Sequence, residues 1–168
     1  MRIAERFASW GYVALVHGWN RRGSDPADDV VIADLEVAFR FLASVPKARA
    51  ERVAVAGFCK GGIYAFMAAS RFSPLKAVVI FHGFAYRSLD DTHKIQPFDM
   101  AKAIAAPLLL LHGTEDKSAS IEDMRALHAE FSRLKKPCTL REYARAAHGF
   151  AVSTHPNFSE HHAEEAFG

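Results

Sequence analysis

Apolar residues along this chain alternate between two spacings, one of about 3.6 residues and one of short unbroken runs. Ile3, Phe7 and Trp10 recur at helical spacing, and Gly11 is placed to close that first helix. Tyr12–Val16 follows as a β-prone run, and a polar loop from Trp19 to Pro26 leads into a second helix. That helix carries Val31, Leu35, Ala38, Leu42 and Val45 on one face, with Pro46 at its end. Val53–Ala56 reads as a second strand, and Gly61–Arg71 as a helix apolar nearly all round, which predicts burial. Ala77–Phe81 and Leu108–Leu111 are the third and fourth strands. Ile121, Met124, Leu127, Phe131 and Leu134 mark another amphipathic helix, Cys138–Tyr143 is a fifth strand, and a last helix is expected after Pro156.

Strands therefore alternate with helices, and several strands are continuous apolar runs, the pattern of strands covered on both faces. The fold class expected is α/β: a three-layer sandwich around a mostly parallel sheet of about five strands, in one domain over residues 1–168. The one long irregular segment, Gly83 to Asp99, is read as a loop beside a substrate site rather than a domain boundary.

Composition narrows the function classes. Half of the 168 residues are hydrophobic and the net charge is only +2, with basic residues scattered, so no nucleic-acid or membrane surface is expected. Two cysteines, Cys59 and Cys138, are too few for a disulfide framework and lack metal-site spacing, which points to a reducing cytoplasm. The first residues lack the apolar core of a secretion signal.

The sharpest chemical signal is Gly57-Phe58-Cys59-Lys60-Gly61-Gly62 between a strand and a buried helix. This is a nucleophile-elbow pattern with cysteine where serine is usual: small neighbours permit a tight turn that lifts the nucleophile out of the sheet. A helix N-terminus there favours the thiolate, and the backbone N–H of Lys60 is expected to face a developing oxyanion. An elbow calls for an acid and then a histidine at later strand ends, and both follow in order. Leu111-His112-Gly113-Thr114-Glu115-Asp116 presents the acid. Asp116 is preferred, with Glu115 as the competitor one residue nearer the glycine. Tyr143 to His148 presents the base.

These segments carry a resemblance. Val53 through Ser70, His112 to Asp116 and Ala147 to Ala151 closely resemble the dienelactone hydrolase family of α/β-hydrolases, and the likeness runs over nearly the whole chain. The resemblance implies a cytoplasmic hydrolase of small lactones or esters that needs no metal or other cofactor, with Cys59, His148 and Asp116 as its triad. It also implies further strands and a loop ahead of the first helix, so the sequence reads as a partial member, shortened at its N-terminus and in its last helix. One of the absent strands would lie between Tyr12–Val16 and Val53–Ala56, which leaves an open sheet edge and a route to self-association. The family holds a substrate carboxylate with an arginine four residues after the histidine, where this chain has Val152. Arg21 or Arg22 is the counterpart of the family's other carboxylate-binding arginine.

Other features are weighed lower. Trp19, Phe84, Tyr86 and Phe150 are candidates to line a substrate pocket, against plain loop packing. His-Gly pairs at His17, His82, His112 and His148 are read as sharp strand exits with histidine on a polar rim, rather than as a metal site. Cys138 is read as a packing residue. Two functional readings stand: a thioester-forming hydrolase with a small-molecule substrate, and a catalytically silent relative that serves as a binding or assembly module.

Overall fold

A computed structural model describes residues 3–72 and 74–168. Met1 and Arg2, part of the segment inspected for a secretion signal, lie outside the described residues. Two compact units emerge: one from residues up to 52 together with Leu89–Lys94, the other from 53–88 together with 95–168.

The second unit holds a four-stranded parallel sheet in the order β1-β2-β3-β4, where β1 is Ala54–Phe58, β2 Ala77–Phe81, β3 Leu108–Gly113 and β4 Cys138–Tyr143. The register sets Phe58 opposite Phe81, Phe81 opposite Leu111, and Gly113 opposite Tyr143. All four carboxyl ends thus leave the same edge, where a parallel α/β sheet gathers its functional loops. Helix α3 (Lys60–Arg71) joins β1 to β2, and α4 (Ile121–Arg133) joins β3 to β4. Ser120 caps α4, its side-chain oxygen accepting the amides of Glu122 and Asp123.

Side chains alternate between the two faces of the sheet. Val78, Ile80, Leu108 and Leu110 point one way and are almost wholly buried, Ile80 lying against Gly62 of α3. Phe81, Leu111 and Tyr143 point the other way into a cluster with Ala146, Phe150 and Ala151. Phe58 and Phe167 pack on that cluster, the latter from helix α5 (Glu160–Phe167). Each fully buried Phe or Leu contributes about 1.5–3 kcal/mol over its exposed state.

The first unit contains α1 (Ile3–Ser9) and α2 (Asp28–Ser44). Helix α2 begins without a side-chain cap, but Asp28 is buried: its N–H donates to the Thr92 carbonyl, and its carboxylate accepts the Lys94 amide. The helix stops at Ser44, and Val45 is extended, as a residue before proline prefers. The expected strand Tyr12–Val16 does not form. Its backbone joins no ladder among the described residues, and Tyr12, Val13, Leu15 and Val16 are exposed. A run with strand propensity becomes a strand only when a neighbour takes its N–H and C=O groups, so the sheet has four strands rather than five.

Candidate active site

Cys59 sits in the turn between β1 and α3 with φ 52° and ψ −124°, a backbone conformation that costs a non-glycine residue about 1–3 kcal/mol. Hydrogen bonds hold it there: its N–H donates to the Phe81 carbonyl at 3.0 Å, and its carbonyl accepts the Gly62 N–H at 2.9 Å. The turn needs two glycines for space. A Cβ at Gly57 would overlap the Gly61 carbonyl and the Gly62 Cα, and one at Gly62 would lie 3.0 Å from Ile80 Cγ2. Gly61, the third glycine of the motif, faces open space and is not required by packing.

Asp116 follows β3 on a loop pinned to the end of β4: Thr114 N–H donates to the Tyr143 carbonyl and Glu115 N–H to that of Ala146. One carboxylate oxygen of Asp116 accepts the amides of Ser118 and Ala119, each at 2.9 Å, and the other meets His148 Nδ1 at 2.8 Å. His148 Nε2 in turn lies 3.0 Å from Cys59 Sγ. Asn157 fixes the histidine backbone by donating from Nδ2 to its carbonyl. The three side chains therefore form one continuous line, acid to imidazole to thiol. Glu115 points to solvent instead, so the structure distinguishes it from Asp116.

The electrostatics follow from this line. Burial opposes ionisation of Cys59, but the hydrogen bond and charge of His148 and the Lys60 amide outweigh it, so the thiol pKa falls below its ordinary value. Burial likewise opposes a charged His148, yet its bonds to Asp116 and Cys59 prevail and raise it to about 9. Asp116 resists desolvation through His148 and its two amides, and stays below the usual carboxylate range. Both shifts run in the direction that favours a thiolate beside an imidazolium. By contrast, burial alone pushes Cys138 up to about 12.

Two histidines expected on a polar rim are instead buried. His82 is 1% exposed, in left-handed backbone at φ 38°, and its ring meets that of His148 edge-on at 4.9 Å between centroids. Neither of its ring nitrogens has a hydrogen-bond partner among the described residues, and burial lowers its pKa to about 3, so it stays neutral. His112 is fully buried, its Nε2 2.8 Å from the Ala119 carbonyl and 3.5 Å from Asp116. Sequence reasoning had the His-Gly pairs in view but not the layer that these two rings build behind the triad. Among the described residues no group of three or more His, Cys, Asp or Glu side chains is arranged to hold a metal.

The other candidates separate. Phe84 lies beside the triad, its ring centroid 5.7 Å from that of His148, and Tyr86 is exposed nearby. Phe150 is wholly buried and packs on Tyr143 and His82, so it belongs to the core rather than to an open pocket. Trp19, Arg21 and Arg22 belong to the first unit, where Arg22 makes a two-pronged pair with Asp34 at 2.9 and 2.8 Å.

The chain's full length, residues 1–168, matches the profile of the dienelactone hydrolase family. A curated relative from Bradyrhizobium sp., named "Probable 2-oxo-3-(5-oxofuran-2-ylidene)propanoate lactonase", is 31% identical across 73% of this chain and 50% of its own length. Another from Methylorubrum extorquens, named "Putative carboxymethylenebutenolidase", is 25% identical across 98% of this chain and 62% of its own. The chain thus spans about half to three-fifths of these two relatives. In fold it is similar to a crystal structure from Klebsiella pneumoniae subsp. pneumoniae described as a "Putative Dienelactone Hydrolase". The TM-score is 0.80 at 24% identity, covering 94% of this chain and 65% of the other.

Proposed function

This chain belongs to the dienelactone hydrolase family, and on that premise we propose that it hydrolyses small esters or lactones through Cys59, His148 and Asp116. The observation that carries the reading is the unbroken line of contacts from Asp116 through His148 to Cys59, at 2.8 and 3.0 Å. The Cys59 thiolate attacks the substrate carbonyl carbon, and the carbonyl π electrons move onto oxygen. The Lys60 amide, at the N-terminus of α3 and beside the Cys59 sulfur, is the donor we assign to that developing charge. When the tetrahedral intermediate collapses, the alkoxide leaves with the Nε2 proton of His148, and a thioester remains on Cys59. Neutral His148 then takes a proton from water, whose oxygen attacks the thioester and releases the acid and the thiolate. Asp116 holds the imidazole in the tautomer that both steps require.

The expected substrate is a small molecule, and the expected compartment is the cytoplasm, in keeping with two free thiols. No helix among the described residues is long and apolar enough to cross a membrane. The test mixes the purified chain with p-nitrophenyl acetate. It follows phenolate release and maps the acyl group by mass spectrometry. A burst with acetate on Cys59 is expected. Release without an adduct on Cys59, or no release from a folded chain, overturns the reading.

A second reading, an assembly module, is favoured by one observation: among the described residues β1 pairs on one side only, and Ala54 and Ala56 are exposed. Sedimentation velocity checks it, since a monomer at all accessible concentrations removes its basis.

A further inference from the structure

Beside the triad lies a small recess of about 60 Å³, walled by Phe84, Ala85 and Tyr86 on one side and by Ser118, Ala119, Ser120 and Asp123 on the other. Both walls are continuous with the catalytic elements. Phe84 faces His148, and the amides of Ser118 and Ala119 bond the carboxylate of Asp116. The recess is thus tied to the His148–Asp116 end of the line rather than to Cys59 directly, within reach of an extended substituent on a substrate held at Cys59.

The charge of the recess is one-sided. No lysine, arginine or histidine lines it, whereas Asp123 does. The N-terminus of α4 opens here and would ordinarily attract an anion. Two of its donors are already taken: Ser120 Oγ accepts the amides of Glu122 and Asp123, and the same hydroxyl donates to the Glu122 carboxylate at 2.8 Å. The amides just before the helix are spent on Asp116. Two acids thus stand in the first turn, and the positive end of the helix is answered from within the chain. Glu122 is partly offset by Arg125, which also pairs with Glu142; Asp123 has no such basic partner in the lining. Tyr86 reports the same field, since desolvation and then the carboxylates of Asp123, Asp99 and Glu130 all push its phenol towards the protonated form, a hydrogen-bond donor.

We infer that this recess is a substrate subsite for a cationic or neutral polar substituent, that it disfavours a carboxylate, and that Asp123 is the residue that sets the preference. The inference rests on the hydrolase reading for its site and goes beyond it in naming the substrate class. One carboxylate about 8 Å from a substrate charge, at an effective dielectric constant near 40, changes binding by about fivefold in each direction. Esters should therefore rank cationic over neutral over anionic, with about 25-fold between the extremes.

The experiment uses mono-p-nitrophenyl esters of three acids whose chains match in length: 6-trimethylammoniohexanoate, 6-methoxyhexanoate and pimelate. For the native chain, kcat/KM should fall in that order. Asp123→Asn should lower the cationic ester and raise the anionic one, each by about fivefold, with the neutral ester unmoved. Asp123→Lys should reverse the order. Equal rates for all three esters, or an order that Asp123→Asn leaves unchanged, overturns the assignment. A readout free of turnover separates this from failure of the hydrolase reading: the rates at which cationic and anionic methanethiosulfonates modify Cys59, mapped by mass spectrometry. If no ester is hydrolysed, the hydrolase reading fails. A cationic-to-anionic labelling ratio that drops about 25-fold in Asp123→Asn still supports the subsite, and an unchanged ratio refutes it.

Discussion

Helix α3 buries eight of its twelve residues, whereas the longer α2 buries three of seventeen and leaves Val37 and Phe41 more than half exposed. Both helices carry an apolar stripe in sequence. The difference lies in what is laid against the stripe. Helix α3 returns at once to the sheet, and its small residues let Ile80 and Gly83 approach Gly62 closely. Helix α2 keeps Val31 and Leu35 covered, half-covers Ile32, Phe39 and Leu42, and presents Val30, Val37 and Phe41 to solvent. A hydrophobic period thus states where burial is possible; a partner surface decides whether it occurs.

That contrast can be tested, beginning with the change of greatest effect. Cys59→Ala should cost at least about 10⁴-fold in kcat against an activated ester, with far-ultraviolet circular dichroism unchanged, because the side chain serves chemistry and not the packing of α3. An undiminished rate would show that the cored unit does not house the reaction. Phe66→Ala, at a wholly buried position of α3, should cost about 3–5 kcal/mol in urea unfolding.

His82 gives a pH test of the same packed region. Its pKa of about 3 in the fold lies below its ordinary 6.5, so the stability tied to its neutral form is present above about pH 6.5 and is lost as pH falls towards 3. His82→Asn accepts the left-handed backbone and cannot take up that proton. Between about pH 6 and pH 4 its stability should therefore fall less steeply than the native chain's, by about one proton or ~1.4 kcal/mol per pH unit. Equal slopes in urea midpoints would place the acid sensitivity elsewhere. The smallest change belongs to α2: Phe41→Ala at its exposed position should shift stability by less than about 0.5 kcal/mol. A loss as large as that of Phe66→Ala would mean that α2 is covered in solution.

Much of the cored unit was legible in the sequence, and the reasons are physical. Strands β2 and β4 run over the residues their apolar content marks, and α4 starts one residue after Ser120, its capping side chain. The elbow was readable because only glycine fits at 57 and a side chain at 62 would crowd Ile80, and the candidate acid and base because each follows a strand through a short turn. Tyr12–Val16 misled because strand propensity is silent about whether a ladder partner exists. The burial of His82 and His112 was not legible because a histidine after a strand looks alike whether it faces water or the underside of another imidazole. Phe150 reads as a loop residue in sequence, and only the turn after β4 folds it back against Tyr143. The recess at Asp123 had no sequence signature, since it is assembled from two segments that lie apart in the chain.

The parallel order of the sheet also has a consequence for the life of the chain before it is finished. Cys59 precedes His148 by 89 positions and cannot meet it until all four strands have been made and docked. At synthesis rates of about 5–20 residues per second, Cys59 leaves the ribosome roughly 4–18 seconds ahead of His148. Throughout that interval it is an ordinary thiol, slow to react at neutral pH. If Cys59 is the nucleophile, the segment that follows the last strand completes the reactivity of a residue made 89 positions earlier, so a nascent chain reacts as any free thiol does until His148 is in place.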